Sequence, residues 1–246
     1  AIDQNATVTS QSGKAGGLIG EATNAAVKVT IDNTHLGGFT SVSGINHAGG
    51  MIGYANCNAY LNNVSITSGE VKAYFTNNYP NDRSVGGFIG FVSGSSTEEN
   101  SAETNAEQKE AVSNAVIFGN LKVEAVEGNN YSMTSEGGVG GVIGYGNASV
   151  AIKGVTLEST GSISVSALGE RAGGILGAAK DTVSIKNIQF KGPLTVSGRK
   201  EVGGLTGGNA NKEIKIANAA LLSDAFIVSA ESDAGGVIGH AKNGVI

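Results

Sequence analysis

A single cysteine, Cys57, stands in 246 residues. No intrachain disulfide can form, and cysteine usage does not reveal a redox compartment. Only 15% of the residues are charged, against roughly 25% in ordinary soluble domains. Polarity comes instead from Ser, Thr and Asn, a mix frequent on secreted and surface proteins. The 16 Lys and Arg are outnumbered by 21 Asp and Glu, for a net charge of −5, and they form no cluster. That excludes the basic footprint a nucleic-acid partner requires and offers nothing to an anionic membrane surface. No apolar run approaches the roughly 20 residues of a membrane span. The histidines, His35, His47 and His240, make no metal-ligand spacing with another His, Cys or acid, and all three are expected in exposed turns. Helical periodicity is almost absent, and the only prolines, Pro80 and Pro193, fall in expected turns.

Glycine is abundant, at 39 residues, and its distribution is periodic. Gly16-Gly17-Leu18-Ile19-Gly20 recurs as Gly49-Gly50-Met51-Ile52-Gly53 and Gly86-Gly87-Phe88-Ile89-Gly90. It recurs again as Gly140-Gly141-Val142-Ile143-Gly144, Gly173-Gly174-Ile175-Leu176-Gly177, Gly203-Gly204-Leu205-Thr206-Gly207 and Gly235-Gly236-Val237-Ile238-Gly239. Most copies lie about 30 to 37 residues apart, which signals a repeat architecture. The interval from Gly86 to Gly140 is longer by roughly 20 residues, the mark of a loop inserted into one repeat. Residues 94–114 are assigned to that surface loop, with a short helix or an unstructured segment over 102–112. The whole chain, 1–246, reads as one continuous array.

Between the motifs, apolar and polar residues alternate, as in Val27-Lys28-Val29-Thr30-Ile31 and Leu121-Lys122-Val123-Glu124-Ala125, the period of half-buried strands. Each repeat is expected to hold three short strands. Three strands cannot bury an apolar face alone, whereas stacked coils share a core and pair every backbone group. The expected fold is therefore all-β: a β-solenoid, or β-helix, of about seven coils. At roughly 4.8 Å per coil it would be a rod about 30–35 Å long. A propeller needs blades of about 40–45 residues and four strands, so the solenoid is preferred. If the motif is extended, its third and fourth residues face opposite ways. The Ile19 ladder then belongs in the core, broken only at Thr206, and the Phe88 ladder meets a second surface.

The Gly-Gly-Φ-Ile-Gly element with its following Val/Ile-rich strand resembles the GLUG motif of bacterial surface and adhesin-like proteins, found also in the repeats of some IgA-cleaving metallopeptidases. The zinc-binding His-Glu-x-x-His of those peptidases is not in this sequence. The resemblance implies an extracellular or cell-surface β-solenoid that serves as a stalk or adhesive surface toward a host or cell-surface ligand.

Other chemistry is weighed against the repeat. The glycines from Gly138 to Gly144 superficially match a dinucleotide loop, but a strand follows where a helix is required. Calcium-binding nonapeptides place an Asp one residue after the glycine motif. Here that position holds Glu21, Tyr54, Phe91, Tyr145, Ala178, Gly208 and His240. Polysaccharide-cleaving solenoids need converging carboxylates, and Asp3, Asp32, Asp82, Asp181, Asp224 and Asp233 share no register. Catalytic residues, metal ligands and cofactors are accordingly not assigned. Asn5, Asn63, Asn130 and Asn147 are sequons that matter only in a glycosylating host. The polar stretch 76–83 is a candidate contact loop through Tyr79, Asp82 and Arg83.

The sequence reads first as a non-enzymatic structural or adhesive segment. The alternatives are a carbohydrate-active solenoid enzyme and a self-assembling filament subunit. For the last, the residues after Gly235 followed by those before Gly16 would nearly complete one repeat, so copies could stack end to end; the same pattern fits a piece cut from a longer repeat protein.

Overall fold

The computed structural model describes residues 4–24, 28–76, 83–94, 110–127, 137–169, 171–209 and 212–241. Among these the chain is all-β, without a helix, and its strand ladders are parallel. The residues leading into each glycine motif, Ala15–Gly16, His47–Gly49, Arg83–Gly86, Gly137–Gly140, Arg171–Gly173, Lys200–Gly203 and Ala234–Gly235, form a seven-stranded sheet in chain order. The register sets motif on motif: Gly16 faces Gly49, Gly49 faces Gly86, and so on to Gly203 facing Gly235. The remaining strands join in one continuous network that carries three further ladders. One follows the corner, from Ile19–Ala22 to Ile238–Ala241. The next includes Val112–Ile117, Val150–Leu157, Val183–Phe190 and Ile214–Leu221. The last begins at Ala6–Thr9 and ends at Phe226–Ser229.

Each repeat thus has four strand segments where the sequence predicts three. The reason lies in the motif, which is not one extended strand. The backbone bends at Gly50-Met51 and its equivalents, so one strand ends at Gly49 and the next begins at Ile52. A bend breaks the alternation of faces, and both apolar ladders turn inward. Ile52, Ile89, Ile143 and Leu176 are fully buried, and so are Met51, Phe88, Val142 and Ile175, all in the same core. The second surface expected for the Phe88 ladder is this shared interior.

Backbone hydrogen bonds bind the corners together. The Met51 carbonyl accepts from the N–H of both Leu18 and Ile19 at 2.9 Å. Phe88, Val142, Ile175, Leu205 and Val237 carbonyls repeat that double acceptance toward the preceding repeat. The second glycine of each motif approaches the next repeat so closely that a Cβ has no room. A methyl on Gly50 would lie 2.1 Å from the Gly87 carbonyl oxygen, and one on Gly141 would lie 2.1 Å from that of Gly174.

A ladder of left-handed residues occupies the longer strands. Asn33, Asn63, Asn114, Asn187 and Asn218 have φ between 50° and 56°, and Gly154, at 68°, fills the same register. Asn tolerates this conformation better than any β-branched residue. The side-chain amides also link repeats: Asn63 Nδ2 donates to Asn33 Oδ1 at 2.7 Å, and Asn218 Nδ2 to Asn187 Oδ1 at 3.1 Å. Asn63, a sequon by sequence, is therefore a rung of this ladder.

The inserted segment is narrower than 94–114. Ile89–Gly94 is strand, Val112–Ile117 is strand, and Ala111 and Val112 are buried; residues 95–109, with most of the segment 102–112 expected as a short helix or unstructured, lie outside the described residues. Cys57 sits within the strand Ile52–Phe75 and not in a turn, and burial pushes its thiol pKa up.

Thr206, where the core ladder breaks, is fully buried and its hydroxyl finds no partner among the described residues. An unsatisfied buried hydroxyl costs about 1–3 kcal/mol. Thr206→Val, nearly equal in volume, is expected to raise stability by roughly 1 kcal/mol, read as a higher urea midpoint; an unchanged or lower midpoint would show that the hydroxyl is satisfied.

Candidate functional site

The corner that turns two apolar residues inward also turns two flanking residues outward, onto one strip. The residue two positions before each Gly-Gly and the residue five positions after its first glycine, an interval of seven, flank the corner, and four of these pairs are in contact: Lys14 with Glu21, His47 with Tyr54, Glu201 with Gly208 and Asp233 with His240. The pairs are Lys14 with Glu21, His47 with Tyr54, Ser84 with Phe91, Gly138 with Tyr145, Arg171 with Ala178, Glu201 with Gly208, and Asp233 with His240. Their strands stack in register, Glu21 on Tyr54, Tyr54 on Phe91, Phe91 on Tyr145, Tyr145 on Ala178, Ala178 on Gly208 and Gly208 on His240.

In the middle of the strip this arrangement makes a second, smaller apolar cluster of Phe91, Tyr145 and Ala178, with Tyr54 against it. The Tyr54 and Phe91 rings stack at 4.4 Å and 13°, and Phe91 and Tyr145 at 6.0 Å. His47 meets Tyr54 edge-on at 4.8 Å and Phe91 at 5.8 Å. Such pairs contribute about 0.5–1.5 kcal/mol beyond burial. His47 is itself buried, with Nδ1 3.0 Å from the Ser84 hydroxyl. Burial, helped by the positive charge of Lys14, pulls its pKa down to about 3. It is a neutral core imidazole, not the exposed turn residue expected. His35 and His240 also lie on strands, with His35 Nδ1 2.6 Å from the Ser65 hydroxyl.

Toward both ends the strip becomes polar. Lys14 Nζ lies 2.6 Å from Glu21 and 4.5 Å from the centre of the Tyr54 ring. Arg171 pairs with Glu201, whose carboxylate covers Gly208. Asp233 lies 3.9 Å from His240 Nδ1.

Of the contact loop named from sequence, Tyr79 and Asp82 lie outside the described residues. Arg83 is no surface anchor: it is fully buried, opens the strand Arg83–Gly86, and places its guanidinium 6.0 Å from the centre of the Phe75 ring. Of the 21 motif glycines, all but Gly236 have backbone atoms of other described residues within 4 Å of their Cβ positions. Among the described residues no three His, Cys, Asp or Glu gather as a metal site. A depression of about 200 Å³ lies on the outer face near Lys153, Lys186 and Lys215, with Glu110 3.9 Å from Lys153. The aromatic strip was missed from sequence, although its interval of seven residues is constant. The residues that exclude a calcium nonapeptide are its outer half. Comparison with protein-family models, with curated proteins and with solved structures finds no match for this chain.

The neutral His47 makes stability depend on pH. Its folded pKa, about 3, lies below the unfolded value of 6.5, so between the two only the unfolded chain takes up the proton. The stabilisation is complete above pH 6.5 and is lost as pH falls toward 3, amounting to about 2 kcal/mol by pH 5. Thermal midpoints of the wild type are expected to fall over this window, and those of His47→Gln to fall less. Parallel pH profiles for the two would contradict the assignment.

Proposed function

We propose that this chain is an extracellular, non-enzymatic β-solenoid of about seven coils, one of the GLUG-motif repeats it resembles, acting as a rigid structural or adhesive segment. Its loops carry any recognition of a host or cell-surface ligand. The observation that supports this reading best is the register, in which each glycine motif seats on the next, residue for residue, from Gly16 to Gly235.

Several charged side chains point the same way, because they reach neighbouring repeats. Lys122 reaches Glu70 at 3.1 Å, Lys191 reaches Glu158 at 3.1 Å, Arg199 reaches Glu231 at 2.8 Å and Lys212 reaches Asp181 at 3.3 Å. Exposed pairs of this kind contribute only about 0–1 kcal/mol each, but they repeat along the stack. The outer face of the last ladder presents Thr7, Ser41, Ser164 and Thr195, hydroxyl groups suited to weak, multivalent contact.

Brief protease treatment of intact source cells tests the assignment. Peptides from this chain are expected in the released fraction, since its loops would face outward. Recovery only after lysis would overturn the surface role.

A further inference from the structure

The two ends of the stack match one another, and we propose that they bind: the last repeat of one copy of this chain seats on the first repeat of a second copy, in the register that joins repeats within the chain. The proposal rests on the stacked-coil reading above.

Glycines carry the argument. The second glycine of each motif is held by the repeat that follows, through a carbonyl 2.0–2.3 Å from where its Cβ would stand, from Gly17 to Gly204. The last of the series, Gly236, has nothing within 4 Å of its Cβ position among the described residues. The third glycine is held by the repeat before it: a Cβ on Gly53 would lie 2.4 Å from the Ala15 carbonyl, and one on Gly239 would lie 2.5 Å from that of Gly207. The first of that series, Gly20, meets only the Lys14 carbonyl at 3.5 Å, an ordinary contact. Neither Gly236 nor Gly20 has a positive φ. At both positions the described residues leave room for a side chain. A head-to-tail contact in the internal register fills both positions: it places the Gly17 carbonyl of the second copy over Gly236, and the Gly239 carbonyl of the first copy under Gly20.

The hydrogen bonds complement each other too. Within the stack, the third motif residue accepts two N–H groups from the repeat before it. The Val237 and Ile238 N–H groups and the Leu18 carbonyl are the unmatched halves of that pattern among the described residues. Apolar side chains agree: Val237 and Leu18 are 43% and 37% exposed, where their equivalents inside the stack are buried. Phe226 and Val228 at one end share the register of Ala6 and Val8 at the other, so the large ring meets the small methyl. Charge selects the polarity. Asp233 falls over Lys14 and His240 over Glu21, opposite signs at the first position and a hydrogen-bond donor over a carboxylate at the second. Such a heterologous contact continues into a filament, and the parallel edges it covers are otherwise open to association.

Sedimentation velocity of the 246-residue chain from micromolar to submillimolar concentration tests this. The wild type is expected to pass from a 24.6 kDa monomer to a ladder of higher oligomers. Gly236→Leu and Gly20→Ala, whose added Cβ atoms meet respectively nothing and only an ordinary contact among the described residues, are expected to keep the wild-type thermal midpoint and to lose all association. Mixed, they are expected to form a heterodimer and nothing larger, since each retains one working end. A folded wild type that stays monomeric throughout overturns the proposal and leaves the coil reading intact. Association of either variant alone overturns it as well. A collapse in the thermal midpoint of Gly236→Leu counts against the coil reading itself.

Discussion

The structure depends on one close approach. At each corner a carbonyl oxygen of one repeat lies where the Cβ of the previous repeat's second glycine would be. Glycine is kept there for lack of space, with no need of an unusual φ. The separation is set by the parallel ladder, about 4.8 Å between strands, which leaves no slack for a side chain directed along the stack. The other features follow from it. The bend at that glycine brings the next two residues into one interior, so Phe88 and Ile89 are both buried. The same bend projects His47 and Tyr54, or Lys14 and Glu21, onto one outer strip.

That strip and the asparagine ladder show how a chain with little charge and few aromatics spends them. The rings gather where Tyr54, Phe91 and Tyr145 stack on one another, and polar pairs, Lys14 with Glu21 and Asp233 with His240, stand at the terminal repeats. Asn33, Asn63, Asn114, Asn187 and Asn218 turn the chain where glycine is the usual choice, and in return supply amide groups that reach between repeats. Both devices tie each repeat to its neighbours, as a stabilising logic of nearest-neighbour interfaces requires.

The all-β class and the parallel stacking were legible because a five-residue word recurs with a glycine pattern that only a repeated backbone geometry explains. The alternation in Leu121 to Ala125 correctly marked a strand with Leu121, Val123 and Ala125 buried. The corner itself was not legible. Alternation predicts opposite faces for Phe88 and Ile89, and only the bend at Gly87-Phe88 reverses that. His47 was misread for a related reason: a lone histidine beside glycines resembles a turn until Tyr54, seven residues on, is brought against it. Arg83 was misassigned because its neighbours are polar, whereas its strand is buried. Asn63 was hidden in a sequon, and the recurrence of Asn at one place in the longer strands, replaced by Gly only at Gly154, is the signal that would have revealed the ladder.

The claim that carries the most weight is that a neighbouring repeat, and not the local backbone, demands each corner glycine. Urea denaturation of Gly141→Ala beside Gly236→Ala tests it most directly. The account predicts a loss of roughly 2–4 kcal/mol for Gly141→Ala, whose methyl would meet the Gly174 carbonyl, and a change within about 0.5 kcal/mol for Gly236→Ala. Equal effects at the two positions would contradict it.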